Sequence, residues 1–327
     1  MRRIALAGLV SLSACGGKGT DSADSAASTG ATTAAATLLR IAGWNVEGLG
    51  RSSTDEFVAA RDVLARMNAD VVVLCELDEG EGDTLTELAV ELGYGWRLYP
   101  ASNPFGDLRN ALLARVPARD GVQWTSADLS GDRDANDVTR LPLEVTVEVG
   151  GHSVRVIGTH LKSGFSDSDA FRRAVDATRV AQAVSAGAAG PVVVLGDLNA
   201  DAGDDIPSPD PWTSEPGGAP GSYALGEDVQ EQLRDDGVRN TPFPLFEAVG
   251  LSIVDAAQLD GRYATRDSSD RRIDYALVSG GIEVRGEVYD SRDDDGSGIA
   301  DGDTLPERDA TSVASDHFPV LVELTLR

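Results

Sequence analysis

Two apolar runs constrain this chain most: Val71-Val72-Val73-Leu74-Cys75 and Val192-Val193-Val194-Leu195. A strand that is apolar at successive positions has two faces to bury, so each run needs a packed layer on either side. Chains that build such a core are neither disordered nor collagen-like. The composition agrees, with 41% hydrophobic and 25% charged residues, close to ordinary globular usage.

The elements around these runs can be read from period and punctuation. Leu38 to Val46 reads as a strand ending at Trp44-Asn45. Ser53 to Asn68 carries Phe57, Val58, Ala60, Val63, Leu64 and Met67 at helical spacing behind Ser-Thr-Asp-Glu, an N-cap signal. Thr84 to Leu92 and Asp169 to Ala186 read as further helices, and Ala111 to Ala114 as part of a short strand. Leu141 to Val149 and Ser153 to Leu161 flank Gly150-Gly151, a two-residue hairpin signal. Ile273 to Val278 and Phe318 to Leu326 supply late strands. Helices interleaved with both buried runs and hairpins predict mixed sheets rather than a purely parallel doubly wound sheet. Two stretches read as long loops flanking a cleft. One is 201–245, with Pro207, Pro209, Pro211, Pro216, Pro220, Pro242 and Pro244; the other is the acidic stretch 290–309. Neither is apolar enough to be an independent domain, so 38–327 is expected to form one.

The N-terminus reads as an address. Arg2 and Arg3 precede an apolar run from Ile4 to Leu12 that ends in Leu12-Ser13-Ala14-Cys15. The run is too short to span a bilayer and suits a signal peptide, residues 1–14. Leu-Ser-Ala-Cys resembles the bacterial lipobox, which implies lipidation at Cys15 and a place in the cell envelope, facing periplasm or exterior. Residues 16–37 are small and polar with no aromatic residue, and read as a flexible tether of roughly 25 Å end to end. With Cys15 lipidated, Cys75 is the remaining thiol, so no internal disulfide can staple the fold.

Asp and Glu number 54 against 28 Lys and Arg, a net charge of −26. That excludes a broad basic face for sequence-independent nucleic-acid binding, but not a small basic site in an acidic body. The chemistry gathers at strand ends. Asn45 ends the first strand, Glu76 follows VVVLC, His160 ends VRVIGTH, and Asp197 and Asn199 follow VVVL. Asp274 opens DYALV, and Asp316-His317 precedes the last strand. Carboxylates, amides and imidazoles at strand ends are what a cleft along one sheet edge requires.

RIAGWNVEGL, VVVLCELDE, GTHLKS, VVVLGDLNA, RRIDYALVS and SDHFPV, in this order, resemble the motifs of the endonuclease/exonuclease/phosphatase superfamily. That group includes deoxyribonucleases, exonuclease III-like repair nucleases, sphingomyelinases and inositol-polyphosphate phosphatases. The resemblance spans 38–327 and implies a four-layer α/β sandwich, two mixed β-sheets packed face to face with helices outside. It implies metal ligation by Glu76, with Asn45 beside the ion and Asp316 close by, and Mg2+ or Mn2+ as cofactor. An oxygen-rich set without a zinc-type Cys/His cluster suits those ions. Asp197 and Asn199 match the pair that orients the attacking water and the phosphate. His160 matches the first family histidine, a donor to the phosphate; His317 matches the second, with Asp274 as its carboxylate partner. The resemblance leaves open which group takes the proton of the water.

Arg140, Asn110 and Lys162 are expected substrate contacts. Asp107 is the one nearby acid that could pair with His160, and His152, beside the hairpin turn, is expected to be solvated. Acids in 293–303 invite a calcium reading, but the twelfth position counted from Ser291 is Gly302 rather than Glu. A solvated acidic loop is therefore expected, with a structural Ca2+ site as the alternative. The predicted function is metal-dependent phosphodiester hydrolysis of secreted-nuclease type, on DNA or RNA, by a monomer without an inferred protein partner. The alternatives are a lipid-headgroup phosphodiesterase or phosphatase, and a non-catalytic surface binding protein.

Overall fold

The computed structural model describes residues 36–202, 212–235, 237–239 and 241–327. The signal-peptide reading, Cys15 and the tether up to residue 35 lie outside them. The described fold begins at Ala36.

In chain order the elements are β1 (Thr37–Asn45), α1 (Asp55–Met67), β2 (Val71–Leu77), α2 (Gly82–Glu91), β3 (Trp96–Leu98), β4 (Arg109–Ala114), β5 (Ala118–Gln123), α3 (Ser126–Ser130), β6 (Leu143–Val149), β7 (His152–His160), α4 (Asp167–Ala186), β8 (Val192–Asp197), α5 (Glu227–Asp235), α6 (Phe243–Ala248), β9 (Leu251–Ile253), β10 (Ala256–Ala257), β11 (Asp274–Ser279), β12 (Glu283–Val288), α7 (Ala310–Ala314) and β13 (Val320–Leu326). The predicted N-cap of α1 is present: Thr54 accepts from the Phe57 amide at 3.4 Å. β1 starts one residue earlier than read, with Thr37 paired to Leu326.

Two mixed sheets form, as expected. One runs β10-β12-β13-β1-β2-β4-β3 and the other β5-β6-β7-β8-β11-β9. Each has a parallel pair at its centre, β1 with β2 and β7 with β8, flanked by an antiparallel late strand, β13 or β11. Side-chain alternation then makes the layers. Leu39, Ile41, Val71, Val73, Val156, Val193 and Leu195 fill the space between the sheets. Ala42, Trp44, Val72 and Leu74 face the opposite way, onto α1, α2 and α7. Ile157 and Val194 face α4 and α6. The buried runs are thus covered on both faces, giving the sequence helix layer, sheet, sheet, helix layer.

Gly158 lets the two sheets approach closely beside the cleft. A Cβ there would sit 2.7 Å from Val73 Cγ1, closer than side chains pack.

The long loops are corrected in part. Within 201–245, α5 docks on α4, where Asp228 meets Arg179, and this part lies on the outer helical layer. In 290–309, Asp294 pairs with buried Arg66 of α1 at 2.7 Å, and Asp301 pairs with Arg40 near the start of β1. This stretch is tied down at Asp294 and Asp301, while Asp295, Asp303, Glu307 and Asp309 stay exposed, so the solvated reading holds for part of it. Asp290, Asp294 and Asp301 are paired with Arg292, Arg66 and Arg40. Among the described residues, the Asp/Glu/His groups close enough to share an ion lie elsewhere, so the calcium alternative gains no ligand set.

Candidate active site

The strand ends converge as the sequence pattern required. Asn45 at the end of β1 donates from Nδ2 to Asp197 Oδ2 at 3.1 Å, across the two sheets. His160 and Asp197 are register partners at the ends of parallel β7 and β8, and Asp274 opens β11 opposite Asp197. Glu76 reaches the same place through a local irregularity. The register of β2 against β4 shifts between Leu74 and Leu77, and Glu76 has φ 62°. A left-handed glutamate is strained, and it turns the carboxylate towards His160, with Nε2 and Oε1 3.4 Å apart. Asn199, at φ 50°, closes the turn after β8: its amide donates to Asp197 Oδ1 at 2.8 Å and its Nδ2 to the Leu161 carbonyl at 3.2 Å.

The second histidine is built from β11 and the segment before β13. His317 Nδ1 lies 2.7 Å from Asp274 Oδ2, both side chains buried. Thr265 Oγ1 accepts the amides of Ile273 and Asp274 at 3.0 and 2.9 Å, fixing the start of β11. Ser315 Oγ donates to the Asn45 carbonyl at 2.8 Å and accepts the His317 amide at 3.0 Å. Trp44 Nε1 donates to the His317 carbonyl at 2.8 Å. The imidazole is therefore oriented by contacts to both sheets, and its Nε2 faces Asp316 Oδ1 at 3.5 Å.

Comparison with known proteins agrees with this geometry. The pattern of the Endonuclease/Exonuclease/phosphatase family matches residues 42–317. The chain belongs to that family. It is a hydrolase of phosphoester bonds in the coarse sense that membership carries. Among solved structures it is similar to an endonuclease/exonuclease/phosphatase from Beutenbergia cavernae DSM 12333, at 21% identity and TM-score 0.56, covering 89% of this chain and 72% of that one. It is also similar to D. rerio TDP2 complexed with a single-strand DNA product, at 16% identity and TM-score 0.53, covering 88% and 98%. The human Nocturnin catalytic domain with bound sulfate matches at 16% identity and TM-score 0.53, covering 89% and 94%. No curated protein sequence matches the chain.

Enzymes of this family use divalent metals, and the donors present fit one. Side-chain donors of Glu76, His160 and Asp197 lie within 4.8 Å of one another, as do those of Asp197, Asp274 and His317. Burial, then the charge of Asp274, push the Asp197 carboxyl well above the usual range; a cation placed among these oxygens would relieve that penalty. Asn45 keeps its Oδ1 on the Glu47 amide at 3.2 Å. Asp316 has one oxygen engaged by Arg266 Nε at 2.9 Å, leaving Oδ1 towards His317.

His160 is the telling residue. It is 1% exposed, and neither ring nitrogen has a hydrogen-bond partner. Such an orphan costs about 1–3 kcal/mol, a penalty that a hydrogen-bonding group brought in with an ion or a substrate would relieve. Burial, then the positive charges of Arg140, His317 and Lys162, lower its pKa well below the ordinary value, keeping the ring neutral with one N–H to donate. For His317, burial works downward but is outweighed by Asp274, with Asp197 and Asp316 behind it, and the imidazole is held up to about 10.

The expected substrate contacts are placed less uniformly. Arg140 donates to the Leu161 carbonyl at 3.1 Å, beside Asn199, and its charge reaches His160. Asn110 is buried, with Nδ2 on the Leu141 carbonyl at 3.0 Å and Oδ1 unpartnered. Lys162 places its ammonium 2.9 Å from Asp169 on α4, although His160 still feels its charge. Asp107 is exposed and does not pair with His160; Glu76 and Asp197 are the acids beside that ring. His152 is half-buried at the start of β7, away from the cluster. Sequence reasoning missed Thr265, Arg266 and Asp176. Asp176, on α4, accepts the Thr139 and Lys162 amides, both at 2.8 Å, and so ties the Arg140 and Lys162 loops together. The first two lie in an irregular segment with no motif, and Asp176 reads as an ordinary helix residue.

Proposed function

We propose that this protein is a Mg2+- or Mn2+-dependent phosphodiesterase of nuclease type, acting on DNA or RNA. The observation that carries the reading is His160: a buried imidazole with both nitrogens unpartnered, set between Glu76 and Asp197 and facing the Asp274–His317 pair. Glu76, with Asn45 and Asp316 beside it, would hold the ion. Such an ion would supply Lewis-acid polarisation of a phosphoryl oxygen and positive charge to offset what builds in the transition state.

The protein's own groups do the rest. Asp197, steadied by Asn45 and the Asn199 amide, accepts a hydrogen bond from the attacking water and aims it. Neutral His160 donates to a non-bridging oxygen. His317, kept protonated by Asp274, offers Nε2–H to the developing charge. Arg140 adds positive charge beside the same oxygens. The TDP2 relative bound to a single-strand DNA product supports a nucleic-acid substrate by analogy of fold. On sequence grounds alone we extend the proposal to export and lipid anchoring at Cys15.

The test is a panel of plasmid DNA, RNA, sphingomyelin, bis(p-nitrophenyl) phosphate and an inositol phosphate, with Mg2+, Mn2+ or EDTA. Hydrolysis of DNA or RNA with Mg2+ or Mn2+, lost in EDTA, is expected. Turnover of sphingomyelin alone would move the assignment to lipid headgroups, and no turnover at all to a binding protein.

A further inference from the structure

Phe165 is 90% exposed, the highest value among the exposed large hydrophobic residues described. A lone exposed apolar side chain is ordinary, but this one is displayed on a braced turn. The turn joins His160, at the end of β7, to the start of α4 at Asp167. The Lys162 amide donates to Asp176 at 2.8 Å, and Arg173 Nη1 donates to the Lys162 and Gly164 carbonyls at 2.6 and 3.2 Å. Ser166 accepts the Asp169 amide at 3.1 Å, capping α4. The backbone on either side of the ring is thus held to α4, and the ring gains no burial from being held.

A second observation comes from another element. The Arg271 guanidinium lies 6.0 Å from the centroid of the Phe165 ring, just before Asp274 in the chain. Its charge is felt by Arg173, together with those of Asp176 and Asp197. An aromatic face from the segment between β7 and α4 and an arginine from the segment before β11 thus meet, five residues after His160 and three before Asp274.

We infer that Phe165 and Arg271 form a subsite for an unpaired nucleobase next to the scissile phosphate, the base stacking on Phe165 and Arg271 facing the adjoining phosphate. The inference rests on the nuclease reading and adds a preference for single strands, because a base inside a duplex already has both faces covered. Stacking on an aromatic side chain tolerates any base. A quaternary ammonium headgroup, the other ligand that seeks an aromatic face, would be repelled by Arg271.

The experiment measures binding, by fluorescence anisotropy in EDTA, of labelled oligothymidylate and of a base-free oligomer with the same sugar–phosphate backbone. The full chain should bind the base-bearing strand about tenfold more tightly. Phe165→Ala should abolish the difference, Phe165→Trp should keep it, and Arg271→Ala should weaken both ligands. Equal binding of the two strands by the unaltered protein, or a preference that survives Phe165→Ala, overturns the inference. A protein that shows the stacking preference yet does not hydrolyse DNA with Mg2+ overturns the nuclease reading and leaves the subsite standing.

Discussion

At the scale of single residues, the pairing of Asp274 with His317 carries the sharpest expectation. With Nδ1 held at 2.7 Å, the imidazole has Nε2 left for the substrate. His317→Ala should lower turnover by roughly 10²–10⁴-fold without unfolding the protein. Asp274→Asn should cost less, though more than about tenfold, since the ring remains but loses its charge support. The double variant should be little worse than His317→Ala, because residues acting as one unit are not additive; multiplicative losses would separate the pair. His152→Ala is the control for deleting an imidazole outside the cluster. Glu76→Gln should raise the Mg2+ concentration needed for half-maximal activity by at least about 10–100-fold, read from metal titrations; an unchanged requirement would remove Glu76 from the ion's ligands. Each of these residues was legible because it ends or precedes an apolar strand. Thr265 and Arg266 were not, since they act by holding the start of β11 and Asp316 from a segment without periodicity.

At the scale of elements, what could be read depended on burial. Strands apolar on both faces, β2 and β8, and the long helices α1 and α4 are visible because their patterns answer to covered surfaces. β5 and β12 are mostly exposed or half-exposed, so no alternation was forced on them. α5 and α6 are short; α5 lies within the proline-rich stretch read as a loop, and α6 begins at its end. In 290–309 the exposed acids were legible as solvated, but the ties of Asp294 to Arg66 and of Asp301 to Arg40 were not, because the partners lie more than 200 residues away in the chain. The contact between the sheets gives an element-scale prediction. Gly158→Ala places a methyl against Val73, a β-branched neighbour that cannot swing away. It should destabilise the fold by about 1–3 kcal/mol, measured from urea unfolding. Gly280→Ala, where nothing lies within 4 Å of the added carbon, should leave the midpoint within experimental scatter. Equal effects at the two positions would mean that the sheets have slack.

At the scale of the whole molecule, the chain carries a net charge of −26, while Arg140 and Lys162 bring positive charge to His160. If Cys15 carries the lipid, Cys15→Ser should move the protein out of the membrane fraction and leave turnover unchanged, since the residues proposed to be catalytic all lie between Asn45 and His317. The same charge sets how a polyanion arrives. For a basic nucleic-acid-binding protein, added salt weakens association from the outset, because the phosphates lose their cationic partners. Here the long-range term has the opposite sign: the acidic body repels DNA, and the attraction is confined to the cleft. The Debye length is about 30 Å at 0.01 M salt and about 10 Å at 0.1 M, so salt in that range silences the distant acids before it reaches contacts made within a few ångströms. At fixed, saturating Mg2+, kcat/KM on single-stranded DNA should therefore rise between about 0.01 and 0.1 M monovalent salt and fall beyond it. A small diester such as bis(p-nitrophenyl) phosphate, with one charge, should respond much less over the same range. A steep fall from the lowest salt onward would show that the arginines of the cleft dominate at every distance and that the acidic body does not affect the approach of substrate.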